Sequence, residues 1–528
     1  MSKKFNITGT CIPQLHYMAD TSEKIEQILK IIEAGEYFAI NRPRQYGKTT
    51  TMYLLDQALK KRKDYLVLKI SFEAIDAPTY SRQEGFIAAF LDMLREKFLF
   101  LEKQDFADII SREMPAVRTM RELASLITAL VQKIALKTVL MIDEVDKSSN
   151  NELFLDFLGM LRTKYLKRSE GEDYTFFSVI LAGVHDVKTL KAKIPGAAEK
   201  VKFNSPWNIA VDFKVDLSLF PGEIEPMLED YARDRGIVLD VSRFAGKLFY
   251  YTSGYPFLVS KLCKIIDEEI LPQIPKKEWT EDHLEKAVQL ILKEESTNFS
   301  TLIKNLENNE SLYESVHDVI IKGLRRSFNR DNPVIDMGAA YGIFREEEGR
   351  VKIHNRIYEQ RIYNYMSSKA ETSEMFNYNF SDNFIEAGGF LNFEKVLLKF
   401  QEFMREQYSR KDEKFLERNG RLLFLAFLKP IINARGFDFK EVEISEEKRL
   451  DVVVTYLNRK YIIELKRWQG EKAHEKGIVQ LVDYLERQGQ EEGFLIIFDF
   501  RKSSETERLK TKSQHLTVGD KKIFLVRV

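Results

Sequence analysis

Two short segments of this 528-residue sequence concentrate side chains that handle phosphate. The first, EYFAINRPRQYGKTTTMYLL from Glu36 to Leu55, places an apolar run, a tight loop ending in Gly47-Lys48-Thr49, and an amphipathic run in that order. Folded as strand, loop and helix, it aims backbone N–H groups at an anion. Lys48 then reaches the terminal phosphates of a nucleotide and the Thr49 hydroxyl binds Mg2+. Arg44, Gly47 and Thr50 complete the expected nucleotide contacts. Further along, KTVLMIDEVDK is an apolar strand ending in Asp143-Glu144. At the tip of a neighbouring parallel strand, Asp143 would hold the hydrated metal, and Glu144 would orient and deprotonate an attacking water. One departure stands out: the usual loop opens with a glycine, and Arg42 holds that place.

The second segment, EVEISEEKRLDVVVTYLNRKYIIELKRW, reads as a β-hairpin. Asp451 opens a β-branched run, Leu457 to Lys460 makes the turn, and Tyr461 to Leu465 returns. Alternation sends Glu464 and Lys466 to one face while Ile463 and Leu465 enter a core. A charged pair inside a core-type strand is costly unless used or satisfied. Asp451 and Glu464 can converge on one metal ion, Mg2+ or Mn2+ rather than zinc, and Lys466 can position or deprotonate a water for phosphodiester hydrolysis. The residues taken singly would also suit a solvated hairpin face. The helix that follows supplies Gln480 and Tyr484 one turn apart.

Those residues need scaffolds. Buried strands are predicted at Tyr37–Asn41, Tyr65–Phe72, Thr138–Ile142, Phe176–Ala182 and Ile209–Val215, with helices such as Thr49–Arg62 and Glu84–Phe98 between them. Apolar strands alternating with helices predict a largely parallel sheet covered on both faces. Beyond Pro221, Glu223–Arg235, Val241–Thr252 and Pro256–Ile270 read as a helical lid. The expected divisions are an α/β core at 1–217, the lid at 218–295, a winged-helix-like module at 296–368, a polar linker at 369–383 and a second α/β unit at 384–528.

The bulk composition is 44% hydrophobic and 31% charged, which is globular, and the formal net charge is zero. Leu391–Val528 is mildly basic, with 28 Lys and Arg against 23 Asp and Glu. Cys11 and Cys263 lie far apart, against both a disulfide scaffold and a zinc site. No apolar run has the length of a membrane span, and MSKKFNITGT lacks the apolar core of a signal peptide, so a cytoplasmic location is expected. His16, His185 and His354 are best read as hydrogen-bonded loop or core residues.

INRPRQYGKTT resembles the Arg-Pro-Arg-x-x-Gly-Lys-[Ser/Thr] loop of AAA-like ATPases related to the STAND branch of P-loop NTPases, in which the first glycine is often replaced. HYMAD, LAGVHDVKTL, NSPWNIA and SGYPFLV add to the likeness, which covers about the first 290 residues. It implies ATP binding, a lid that brings Gly254-Tyr255-Pro256 near the nucleotide, and a sensor-like position for Gly183 to Asp186. Asp451, Glu464 and Lys466, with Gln480 and Tyr484, resemble the PD-(D/E)XK nuclease superfamily, whose restriction-endonuclease-like fold runs α-β-β-β-α-β. The family's extra acidic residue falls on Glu417. Together these imply an ATP-regulated, Mg2+-dependent nuclease acting on DNA or RNA, in fusions often linked to defence or mobile elements. One alternative is a signalling or scaffold ATPase whose nuclease-like domain only binds nucleic acid or protein. Another is a remodelling ATPase, disfavoured by the lack of helicase motifs after Glu144. Oligomeric state stays open, a homo-oligomer included.

Overall fold

The computed structural model describes residues 3–80, 82–145, 152–184, 206–274, 278–320, 326–371, 384, 386, 390–407, 424, 427–428, 439–440, 443–445, 448–449, 452–456, 459–468, 470–499 and 513–528. The chain divides into two compact units, Met1–Leu312 with Ser327–Gln360, and Tyr313–Arg326 with Arg361–Val528.

The first unit opens with α1 (Ser22–Glu33), β1 (Tyr37–Asn41), α2 (Lys48–Lys60) and β2 (Tyr65–Ser71). There follow α3 (Gln83–Phe100), α4 (Gln104–Glu113), α5 (Met120–Ile134), β3 (Lys137–Asp143), α6 (Glu152–Ser169) and β4 (Ser178–Gly183). The four strands are parallel in the order β1-β4-β3-β2. Tyr37, Ala39, Leu66, Leu68, Leu140 and Ile142 pack with Phe86, Phe90 and Phe157 of α3 and α6. Their alternates Phe38, Ile40, Val67, Val139, Met141 and Ile180 are equally buried, and α2 packs against β2 and β4. Burial on both faces is why these strands are apolar at nearly every position. Two expectations need correction. β4 stands between β1 and β3, so the Asp143 strand is next but one to the loop strand. The fifth strand is reduced to one parallel bridge, Val211 on Phe38, because Pro206–Ile209 forms a 3₁₀ turn.

A helical group follows: α7 (Pro221–Arg235), α8 (Val241–Thr252), α9 (Pro256–Ile265), a π-helical turn at Ile266–Ile270, and α10 (Glu281–Lys293). Local chemistry sets its boundaries. Pro221 and Pro256 occupy the first turns of α7 and α9, where a missing N–H costs nothing. Asp240 accepts from the Arg243 N–H, and Gly236 ends α7 in the left-handed region. Tyr17 and Phe5 of the N-terminal segment pack on Tyr231 of α7, which in turn packs on Trp279.

Beyond the lid come α11 (Thr297–Glu307), α12 (Glu310–Ile320), α13 (Pro333–Ala340), the hairpin β5 (Phe344–Glu347) and β6 (Arg350–Ile353), and α14 (Arg356–Glu371). Glu348 and Gly349 turn the hairpin with φ of +50° and +73°, as a two-residue turn requires. Most of the expected linker, 372–383, lies outside the described residues.

The second unit contains α15 (Phe393–Gln407), β7 (Phe439–Lys440), a small hairpin of β8 (Glu443–Ser445) and β9 (Lys448–Arg449), β10 (Val452–Tyr456) and β11 (Arg459–Arg467). It ends with α16 (Glu471–Gln488), β12 (Glu492–Phe498), β13 (Ser513–Val518) and β14 (Lys521–Arg527). The six-stranded sheet has the order β13-β14-β12-β11-β10-β7. β11, β12 and β14 are parallel, whereas β10 and β13 run antiparallel to their neighbours. Val454, Ile463, Ile496 and Val526 face Val396, Leu397 and Phe400 of α15; Val453, Ile462, Leu495 and Leu525 face Leu481, Tyr484 and Leu485 of α16. The return strand starts earlier than expected, at Arg459, and β13–β14 extends the sheet beyond the expected order.

The lid has one position that only glycine fits. Gly254 has φ of +72°, its carbonyl accepts from the Leu219 N–H at 2.8 Å, and a Cβ there would lie 2.4 Å from the Leu219 carbonyl oxygen. Gly254→Ala is expected to lower the thermal midpoint, by at least about 1–3 kcal/mol of stability, read by differential scanning calorimetry.

Candidate functional site

The loop between β1 and α2 is shaped by two left-handed residues, Gln45 at φ +57° and Gly47 at φ +81°. At Gly47 the backbone turns directly into α2, so the first N–H groups of that helix are left for an anion. The Thr49 hydroxyl donates to Asp143 Oδ2 at 2.8 Å, bringing together the two oxygen groups expected to share a metal. Both are hard donors of the kind Mg2+ takes. Glu144, next to Asp143, has φ of +55°, an uncommon conformation for a side-chain-bearing residue, and its N–H donates to Asp143 Oδ1 at 3.0 Å.

Lys48 is buried, and its ammonium donates to the carbonyls of Arg42 and Pro43 at 2.9 and 3.0 Å. Arg44 is exposed and its side chain makes no protein hydrogen bond among the described residues. The Thr50 hydroxyl accepts from the Cys11 N–H at 3.1 Å and so ties the N-terminal segment to α2. Arg42, in the place of the usual glycine, is turned away from the cradle. Its guanidinium donates to the carbonyls of Asn41 and Val215 and lies over the Phe213 ring. The arginine therefore fastens the loop to the segment that follows the sheet.

The outer side of the loop is held from the lid and from the hairpin that follows it. The Tyr255 hydroxyl donates to the Arg44 carbonyl at 2.6 Å, and Pro256 lies 3.8 Å from where a Gly47 Cβ would be. Tyr46 is buried, with its hydroxyl 2.7 Å from Ser218 Oγ and 3.0 Å from His354 Nε2. Asn298 joins Gln45 to the Tyr358 hydroxyl, at 2.6 and 2.8 Å. Pro43 fills the space beside Gly342. Gly183 ends β4 beside the loop strand, in register with Asn41, and its carbonyl accepts from the Arg42 N–H. His185 and Asp186 lie outside the described residues.

In the second unit Glu464 is wholly buried, and Lys466 Nζ lies 2.6 Å from its Oε1. Both stand on the sheet face that α16 covers: Gly477 of α16 sits against the Lys466 stem, with Tyr484 buried and Gln480 half-buried further along. Asp451 and Glu417 lie outside the described residues. By sequence, Asp451 directly precedes Val452, whose β10 position pairs with Ile463, and Glu464 directly follows Ile463. Among the described residues no group of three or more His, Cys, Asp or Glu gathers in a metal-holding arrangement, and both cysteines are free. No helix among them is long and apolar enough to cross a membrane.

The sequence profile of the AAA-like domain matches residues 14–364. This chain belongs to the AAA-like domain family. Its match spans the loop, Asp143, the lid and the β5–β6 hairpin, so the chain carries a P-loop, AAA-like ATPase domain. Among solved structures it is similar to the Walker-type ATPase of Pyrococcus abyssi, at 11% identity over 68% of this chain and 99% of that one, with a TM-score of 0.46. It is also similar to the ORC2 protein of Aeropyrum pernix, at 12% identity over 70% and 97% with a TM-score of 0.40. The RuvB Holliday-junction branch-migration motor of Thermotoga maritima is a third, at 13% identity over 65% and 94% with a TM-score of 0.34. No match was found among curated proteins.

Within the AAA-like domain, sequence reasoning missed Tyr46 and the fastening role of Arg42, since neither residue type signals its partner across so long a stretch of chain. His16 is a hydrogen-bonded loop residue, its Nδ1 accepting from the Ile12 N–H, and His354 is a buried one. Burial, helped by the charge of Arg345, pushes the His354 ring from its ordinary 6.5 down to about 3. Only the neutral ring fits the fold, so its contribution is complete above about pH 6.5 and is lost as pH falls toward 3. Over that window the wild type should lose stability more steeply than His354→Gln, by about 1.4 kcal/mol per pH unit, in urea-unfolding midpoints. Tyr46→Phe, which removes both hydroxyl partners, should cost about 1–3 kcal/mol by the same measurement at neutral pH.

Proposed function

We propose that this chain is an ATP-regulated nuclease, in which the AAA-like domain governs a C-terminal unit that hydrolyses nucleic-acid phosphodiesters. The functional divisions assigned are the core 1–217, lid 218–295, winged-helix-like module 296–368, linker 369–383 and nuclease-like unit 384–528. The observation that carries the nuclease reading is Glu464, fully buried in the sheet and paired at 2.6 Å with Lys466. Taking a carboxylate out of water costs several kcal/mol, and apolar residues of similar volume would serve the sheet as well or better. A buried pair of this kind is accounted for by use.

At the nucleotide site Lys48 and the α2 N-terminus would bind the phosphates, with Arg44, Gly47 and Thr50 around them. Thr49 and Asp143 would hold a magnesium ion, which when bound supplies positive charge against the phosphate oxygens. Glu144 would orient the attacking water and take its proton. At the second site Glu464 and Asp451 would hold Mg2+ or Mn2+, and Lys466 would position the water and offset developing charge. The bond between Tyr46 and His354 supports coupling of nucleotide state to the winged-helix-like module, because phosphate entering the loop must act on a residue the module grips. A second reading, a nuclease-like unit that binds DNA or RNA without cutting it, is favoured by the Lys466 ammonium, which lies on the Glu464 carboxylate that a metal ion would need.

Cleavage of labelled DNA and RNA, with magnesium and with or without ATP, separates the two. The wild type should cut, EDTA should abolish cutting, and Glu464→Ala should reduce it by about 10³-fold or more. Lys48→Ala should weaken ATP binding and remove the dependence on ATP. Absence of cleavage of every substrate under every nucleotide condition would sink the nuclease reading. Unchanged ATP affinity in Lys48→Ala would sink the loop assignment.

A further inference from the structure

Lys466 is not the only cation on its face of the sheet. Registers run Lys466 to Ile497 and Ile497 to Arg527, so Lys466, Ile497 and Arg527 form one row across three parallel strands. Ile497 belongs to the cluster that α16 covers, which fixes the face on which the row stands. From β14 the Arg527 guanidinium lies 4.6 Å over the ring of Trp468, two residues beyond Lys466 at the end of β11. His474, in the first turn of α16, sets its ring 5.5 Å from the same indole. Arg527 and His474 thus share the Trp468 indole, with one strand between Arg527 and Lys466 in the row, toward the edge where the parallel strands end and where α/β sheets bind ligands.

Two of them, Arg527 and His474, keep hydrogen-bonding capacity that the described residues do not use. Arg527 is half-buried, and among the described residues no carboxylate pairs with it. A guanidinium carries five N–H donors and no acceptor, and stacking on an indole uses its face while leaving those edge donors free. His474 Nδ1 is buried and has no hydrogen-bond partner among the described residues. A purely structural arginine at this depth would be expected beside a carboxylate or a carbonyl, as Arg168 is on the carbonyls of Gly35 and Phe176.

We propose that Arg527, backed by Trp468 and His474, is a phosphate-binding subsite that takes a nucleic-acid backbone phosphate next to the one at Lys466. This rests on the reading of the second unit as one that engages phosphodiesters. The planar guanidinium donates two N–H groups to the two non-bridging oxygens, which a lysine cannot do in the same geometry. Trp468 holds the guanidinium over its ring, and His474 packs against the same indole and steadies it. Arg527 is thus a positioning residue, acting on how the strand lies rather than on the scissile bond.

The test uses the full chain carrying Glu464→Gln, so that binding is read without cleavage. Fluorescence anisotropy with a labelled DNA duplex and a labelled single-stranded RNA, over a salt series, compares this protein with the double variants adding Arg527→Gln or Arg527→Lys. Arg527→Gln should weaken binding about tenfold and lower the salt slope by about one phosphate contact. Arg527→Lys should recover the salt slope and only part of the affinity. Equal melting midpoints of the two Arg527 variants show that loss of stacking has not unfolded the unit. If they differ, Trp468→Phe, which keeps an aromatic platform, should weaken binding in the same direction. Unchanged affinity and slope in Arg527→Gln, or no binding by the Glu464→Gln protein to either probe, overturns the subsite. The two readings fail separately. Cleavage by the wild type that is indifferent to Arg527 removes the subsite and leaves the nuclease, whereas Arg527-dependent binding without cleavage keeps the subsite and removes the nuclease.

Discussion

A loop that turns its N–H groups inward must dispose of its carbonyls outward, and the first unit is organised around that constraint. Backbone carbonyls removed from water need donors. The Arg42 and Pro43 carbonyls take the Lys48 ammonium, and the Arg44 carbonyl takes the Tyr255 hydroxyl. Tyr46, projecting from the same turn, takes Ser218 and His354. The lid and the β5–β6 hairpin are thus the donors and acceptors that a tight phosphate loop requires on its back. Whatever reshapes the loop acts on them first.

Under the proposed function, that dependence would give the AAA-like domain a route from nucleotide to structure that needs no long pathway. Lys48 holds loop carbonyls at hydrogen-bond distance, and a bound phosphate would compete for the same ammonium. Tyr46 would then be asked to keep its two partners while the residues before it relax. His354 sharpens the demand, because burial keeps its ring neutral at ordinary pH.

The second unit obeys a different constraint, that of charge in a dry sheet. Glu464 lies among β-strand residues buried on both faces, and what reconciles it with its surroundings includes Lys466 two residues on. The same face carries Arg527 toward Trp468 at the strand ends. Lys466 and Arg527 thereby stand in one row on the face that α16 covers, a placement invisible in a chain of zero net charge.

The Gly47-Lys48-Thr49 turn, the Asp143-Glu144 strand end and the Glu464–Lys466 alternation were readable in sequence because local periodicity and neighbouring residues determine them. So were four of the strands and the lid helices, whose boundaries Pro221, Asp240, Gly236 and Pro256 impose within a turn of chain. The fifth strand misled, since β-branched composition at Ile209–Val215 says nothing of whether a partner edge offers more than the single bridge to Phe38. The insertion of β4 between β1 and β3, the grip of His354 on Tyr46 and the row from Lys466 to Arg527 were decided only by tertiary structure. Each joins residues far apart in the chain, through hydrogen bonds and registers whose partners no local pattern specifies. For the phosphate-handling residues around Lys48 and Lys466, the chain itself determined which chemistry is available; the fold decided what holds each residue in place.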